Sequence, residues 1–323
     1  MGVEFRNEGV KSNVLGKPMK EPQDVPFEKE GKYLKSDNRS NISYFLEHNV
    51  LLRRFTLSVG VLANYNSALN EGIHFYPGID ASYRIGDNFR LYGSWNRALR
   101  MPTFTDLYYE GKTNKGNPDL KPEESEAFEV GLKYNTYFLR AHIAGFYRKG
   151  KNMIDWVKEK PEDIWESQNL TKVDNLGFET NLSLLPRELG NERFFIRKIE
   201  LGYAFIHQDK DSEGYISNYA LDYLKHKFTA QLSHSIWKGF SATWYVRWQD
   251  RAGSYTKYEN LKPAYEEPYA PYCLVDMKVN WEYQRLNLYA ELNNLLNSTY
   301  YDLGNIPQPG IWFKAGFRYS FKY

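Results

Sequence analysis

Read backward from its end, the chain places Tyr323, Phe321, Tyr319, Phe317, Ala315, Phe313 and Ile311 on one face of an extended strand. Lys322, Ser320, Arg318, Gly316, Lys314 and Trp312 fall on the other. One face is aromatic and apolar and the other mostly polar, whereas a helix would scatter both sets around its axis. The same period of two recurs upstream. Phe55, Leu57, Val59, Val61, Ala63 and Tyr65 oppose Thr56, Ser58, Gly60 and Asn64, and Leu286, Leu288, Ala290 and Leu292 oppose Asn287, Tyr289, Glu291 and Asn293. The pattern predicts about fourteen strands, over 1–12, 39–49, 53–66, 73–85, 88–99, 124–135, 138–150, 168–185, 195–208, 222–236, 239–251, 271–283, 285–296 and 310–323.

The links between these strands alternate in length. Short links fall near 49–52, 86–87, 136–137, 186–191, 237–238 and 284; longer ones occupy 13–38, 67–72, 100–123, 151–167, 209–221, 252–270 and 297–309. Alternating short and long connections, strands of about 10 or more residues and aromatics crowding the strand ends are properties of an antiparallel transmembrane β-barrel. A large soluble all-β protein with an aromatic core is the alternative, and alternation by itself fits both.

Composition narrows the choice. Trp, Tyr and Phe make up 17% of the 323 residues, enough to supply interfacial girdles. No stretch reaches the roughly 18 apolar residues of a membrane helix. A formal net charge of +2 gives no support for nucleic-acid binding, and one cysteine excludes an internal disulfide or a Cys-based zinc site. Metalloprotease, nucleophile-elbow and P-loop motifs are absent, so neither catalysis nor a cofactor or metal is expected. The opening Met1-Gly2-Val3-Glu4-Phe5 lacks a basic stretch followed by an apolar core, the mark of an export signal.

Two sequence boxes carry a family resemblance. Arg100-Met101-Pro102-Thr103-Phe104-Thr105-Asp106-Leu107-Tyr108 is followed by Gly116-Asn117-Pro118-Asp119-Leu120-Lys121-Pro122-Glu123, and then by a strand ending Gly131-Leu132-Lys133-Tyr134. This resembles the barrel of TonB-dependent outer-membrane receptors. Leu292-Asn293-Asn294-Leu295-Leu296-Asn297 and the aromatic Tyr323 match that family's last strands. The resemblance implies that residues 1–323 are the last fourteen strands of a 22-stranded barrel. The plug domain, the first eight strands and the signal peptide would then lie outside the chain, and 100–123 would be the seventh outer loop.

The resemblance further implies transport without catalysis: uptake of a metal chelate such as a ferric siderophore, or of cobalamin, driven by the TonB coupling protein through the plug. Outer-membrane lipid and the barrel-assembly machinery are the other implied partners. Phe317, Tyr319, Phe321 and Tyr323 would form the signal read by that machinery. Arg100, Tyr108, Tyr109, Trp165 and Tyr255 are the candidate ligand-binding residues. Pro102, Pro118, Pro122 and Gly116 are expected to shape the loop through fixed φ and turn formation. No histidine lies between Thr103 and Gly116, which disfavours haem. On the polar face, Arg90, Arg140, Arg148, Arg247 and Arg318 are expected either to attract an anionic chelate or to pair with Glu129, Glu282 and Glu291. A non-coupled porin- or adhesin-like barrel is the alternative function.

Overall fold

The computed structural model describes residues 1–28, 30–69, 72–160, 162–190, 193–211, 214–217, 223–260 and 262–321. Fourteen long strands form one continuous wall. They are β1 (Gly2–Ser12), β2 (Lys32–Leu51), β3 (Phe55–Asn66), β4 (Ile73–Ile85), β5 (Phe89–Arg100), β6 (Glu123–Asn135) and β7 (Leu139–Lys158). The second half is β8 (Trp165–Leu184), β9 (Ile196–Asp211), β10 (Leu224–Trp237), β11 (Phe240–Arg251), β12 (Tyr272–Tyr283), β13 (Leu286–Asn293) and β14 (Trp312–Tyr319). Each strand pairs antiparallel with the next in sequence. Among the described residues, β14 pairs only with β13, and β1 only with β2, so the wall does not close on itself.

Four of the short links turn through the left-handed region, at Gly86, Gly190, Lys238–Gly239 and Gln284. Gly239 has φ +85, and a Cβ there would collide with the Glu282 carbonyl, so only glycine fits at position 239 between β10 and β11. The long links carry small elements of their own. A ribbon at Lys17–Asp24 pairs with β2, and a hairpin of Ser254–Glu259 and Lys262–Pro268 stands between β11 and β12. A second hairpin, Tyr301–Leu303 with Ile306–Pro307, joins β13 to β14. β7 and β8 also run past their expected limits and shorten the expected 151–167 link.

Burial is inverted relative to a water-soluble protein. Phe75 is 62% exposed, Val130 62%, Phe313 62%, Phe317 73% and Phe321 77%. No second layer covers this apolar face among the described residues. On the opposite face, polar groups pack against one another: the Asn66 amide, fully buried, donates to Asn41 Oδ1 at 2.6 Å, and the Asn64 amide donates to Ser43 Oγ at 2.9 Å. Such a sheet suits hydrocarbon on one side and water on the other. The polar face also organises charge in register. Lys278, Glu291 and Lys314 stand opposite one another on β12, β13 and β14, with Glu291 accepting from both ammonium groups at 2.7 and 2.5 Å. Alternating signs across adjacent strands are mutually favourable.

Candidate functional site

The two sequence boxes form a strap over the polar face. Thr103 caps a one-turn helix, α1 (Phe104–Tyr108): its hydroxyl accepts the Asp106 amide at 3.0 Å, and the Asp106 carboxylate accepts the Thr103 amide at 3.0 Å. This reciprocal capping box fixes where the chain turns. Pro102 is buried, Leu107 half-buried, and the Phe104 ring lies 6.5 Å from that of Tyr108. The strap then doubles back. The Gly116 amide donates to the Tyr109 carbonyl at 2.6 Å and the Asn117 amide to the Asp106 carbonyl at 2.8 Å. Asn117 Oδ1 accepts the Asp119 amide at 2.9 Å, which sets the turn containing Pro118. Leu120 is buried, Pro122 half-buried, and Glu123 opens β6.

The strap is tied at both ends to strands far from its own. On one side, buried Arg39 of β2 donates through Nη1 to the Pro102 carbonyl at 2.6 Å and through Nε to Glu8 of β1 at 2.6 Å, with its guanidinium 5.0 Å from the Phe104 ring centre. Beside it the Tyr108 hydroxyl donates to Asp37 Oδ2 at 2.5 Å. On the other side, Asn114 and Lys115 pair parallel with Trp165 and Glu166 of β8, and the Lys121 amide donates to Asn169 Oδ1 at 2.8 Å. The Tyr109 ring stands edge-on to Trp156 at 6.4 Å. The loop between β5 and β6 thus spans from β2 to β8.

Arg100 stands at the root of the strap in a two-pronged ion pair with Glu123, one prong being Nη2 to Oε1 at 2.6 Å. Glu123, itself buried, also accepts the Ile154 amide at 2.7 Å. Arg100 borders two cavities. One, of about 500 Å³, is lined among others by Arg6, Arg39, Asn41, Asn64 and Arg97; the other, of about 470 Å³, by Glu123, Arg148, Asn175 and Gln208. Burial first, and the bond to Asp37 second, push the Tyr108 phenol well above its ordinary range. The sign follows directly: the neutral donor is favoured in the folded state, so the tie contributes at all pH below about 10 and fades only as the pH climbs toward the raised value.

Of the two remaining candidates, Trp165 pairs with the strap at Asn114 and Tyr255 lies apart. Lys158 sits 4.5 Å above the Trp165 ring. Tyr255 belongs to a separate aromatic cluster, 5.1 Å from Tyr269 and 5.9 Å from Tyr301, with its hydroxyl donating to Glu267 at 3.0 Å. Hydrogen bonds from Lys257 and Tyr255 hold the Glu267 carboxyl below the usual carboxylate range. Arg100, Tyr108, Tyr109 and Trp165 are therefore gathered around one strap, and Tyr255 is not. Phe317, Tyr319 and Phe321 share the exposed apolar face; Tyr323 lies outside the described residues. The expected Arg–Glu pairs do not form among the described residues. Glu291 takes two lysines, Glu129 takes the Tyr92 hydroxyl at 2.8 Å, and Glu282 takes the Asn287 amide at 3.2 Å. Arg39, Asp37, Glu8 and Asn169 were not singled out in the sequence, because each meets its partner only through tertiary contact.

The wall, its inverted burial and the strap define the barrel class of outer-membrane receptors, and the comparisons agree. The profile described as "TonB dependent receptor-like, beta-barrel" matches residues 2–295, and the chain belongs to that family. Among similar proteins, the vitamin B12 transporter BtuB of Vibrio vulnificus (strain YJ016) is 26% identical over 225 residues, covering 52% of this chain and 36% of the relative. The ferrienterobactin receptor of Escherichia coli (strain K12) is 22% identical over 297 residues, covering 83% and 38% respectively. A crystal structure of the ferric enterobactin receptor PfeA from Pseudomonas aeruginosa superposes with a TM-score of 0.74 at 18% identity, covering 99% of this chain and 50% of that one. At that identity the superposition establishes the fold alone. The chain thus spans well under two thirds of the relatives' length. No helix among the described residues is long and apolar enough to cross a membrane.

Proposed function

We propose that this chain is the C-terminal part of the wall of a TonB-dependent outer-membrane receptor. In this reading preceding strands complete the barrel and a plug fills it. The receptor takes up cobalamin or a ferric siderophore, and the coupling protein acts through the plug. The observation that carries the reading is the strap with the two Arg100-lined cavities beneath it. A rigid excursion tied across the mouth, above several guanidinium groups, suits a bulky ligand that bears negative charge or hydrogen-bond acceptors. The test is binding and uptake by the full-length receptor, with cobalamin and a ferric siderophore compared side by side. Retention of one at submicromolar concentration is the expected result. Retention of neither removes both, and steady unitary conductance in bilayers would instead favour an uncoupled porin.

The exposed row of Phe317, Tyr319 and Phe321, continued to Tyr323, serves in the same proposal as the segment recognised by the barrel-assembly machinery. Removing Phe321, Lys322 and Tyr323 from the full-length protein is expected to lower its outer-membrane level several-fold. Unchanged levels in membrane fractions would refute that role.

A further inference from the structure

Four polar atoms on β2, β3 and β4 are shielded from solvent and have no hydrogen-bond partner among the described residues: Asn41 Nδ2, Asn64 Oδ1, His74 Nε2 and Tyr76 Oη. Asn41, Asn64 and Tyr76 are each more than nine-tenths buried, and His74 stands directly opposite Asn64. The other halves of the two amides are satisfied: Asn41 Oδ1 takes the Asn66 amide, and the Asn64 amide goes to Ser43. Asn41, Asn64 and Tyr76 line the cavity of about 500 Å³ beneath the strap. The β4–β5 ladder begins only at Gly78–Asn96. Pro77, next in line, has no N–H to carry it further, and beyond it Tyr76 and Ala98 border the cavity. Guanidinium groups surround the same space, but each is committed: Arg6 and Arg39 to Glu8, Arg97 to Glu124, and Arg100 to Glu123.

Buried polar atoms in folded proteins are nearly always paired, so four bare ones beside one cavity mark a place for an occupant. Their kinds define it. Asn41 Nδ2 can only donate, Asn64 Oδ1 can only accept, and the Tyr76 hydroxyl and the His74 nitrogen do either. A carboxylate or catecholate oxygen only accepts, so it would meet Asn41 but be set against Asn64 Oδ1. With each of the four guanidinium groups already holding a carboxylate, such an anion gains no free cation in return. A carboxamide carries both halves, a carbonyl for Asn41 and an NH2 for Asn64. We infer that this pocket binds an uncharged, carboxamide-bearing part of the transported ligand, with Asn41, Asn64 and Tyr76 as specificity-determining residues. The inference rests on the uptake reading above and narrows it. Cobalamin, whose ring edge carries carboxamides, fits the pocket, and an anionic ferric catecholate does not.

The test is ligand titration of the full-length receptor in detergent. The probes are cyanocobalamin, its monocarboxylic acids (one carboxamide hydrolysed in each) and a ferric catecholate. Cyanocobalamin is expected to be retained, and at least one monoacid to bind about tenfold more weakly. Tyr76→Phe and Asn41→Asp each change only an unpartnered atom, the second keeping the acceptor for Asn66. Each is expected to weaken cyanocobalamin binding about five- to tenfold. Tyr76→Phe should not lower the ligand-free thermal midpoint, because its hydroxyl gives up no bond. Unchanged affinity in both variants would show that these atoms hold only water, and overturns the inference. A lowered midpoint in ligand-free Tyr76→Phe overturns it too, since the hydroxyl would then be structural. Retention of the ferric catecholate without cyanocobalamin sinks the carboxamide assignment while uptake itself stands; retention of neither ends both.

Discussion

Replacing Arg39 by alanine is expected to release the strap and weaken ligand retention by the full-length receptor about 30- to 100-fold. Arg39 is nine-tenths buried and satisfies two acceptors at once, the Glu8 carboxylate and the Pro102 carbonyl, while covering the Phe104 ring. Removing one member of a buried ion pair costs about 3–5 kcal/mol when the partner is stranded. Here Glu8 keeps Arg6 at 3.0 Å and is partly exposed, so about 2–3 kcal/mol is the fitting scale. Each 1.4 kcal/mol is about a factor of ten in an equilibrium constant, which gives the range above if binding needs the tied strap. Two readouts separate this role from a general folding defect. Limited proteolysis should cut within 101–122 in Arg39→Ala and not in the wild type, while the heat-stable β signal of the wall persists. Arg39→Lys should recover the Glu8 contact without the second donor, and so fall between the two. Equal binding in all three proteins would show that the Tyr108–Asp37 tie and the β8 side hold the strap without Arg39.

That tie could not be read from the sequence, whereas the wall could. The wall strands announce themselves because a sheet with lipid on one side and water on the other imposes a period of two, visible along β3 and β14. The boundaries failed where the backbone leaves that period. Asn152 takes φ +53, yet the β7–β8 pairing keeps one register from Glu166–Val157 to Leu184–Leu139, so both strands continue beyond the point where alternation is lost. The strap was recognisable through its motif, but its anchorage was not. Arg39 reaches Pro102 across 63 residues and Tyr108 reaches Asp37 across 71, and nothing local marks either partner. Charge pairing was hidden for the same reason. Glu291 meets Lys278 and Lys314 rather than an arginine because register, not residue type, decides which side chains stand opposite.

Gly116→Val is expected to abolish the strap's fold and with it high-affinity binding, a larger effect than any single side-chain loss within the loop. The constraint is contact, not backbone angle. A Cβ at position 116 would lie 2.8 Å from the Tyr108 amide nitrogen, 2.9 Å from the Asp106 carbonyl oxygen and 2.9 Å from the Leu107 carbonyl carbon. All three are backbone atoms at the end of α1, so no flexible side chain can give way. Relief requires moving the helix end, which breaks the Gly116–Tyr109 and Asn117–Asp106 backbone bonds that double the strap back. Overpacking alone costs about 1–3 kcal/mol, and each lost backbone bond adds about 1 kcal/mol. The sum, about 3–5 kcal/mol, exceeds what the ties to Asp37 and Asn169 can restore. Gly116→Ala should show most of the defect, since the Cβ is already the offending atom. Gly9→Ala is the control: its nearest neighbour would be 3.8 Å away, an ordinary contact, and binding should match the wild type. Ligand titration of the three variants in detergent decides the matter. Wild-type affinity in Gly116→Ala would mean that the loop tolerates a displaced helix and that the close approach at this glycine has no bearing on binding.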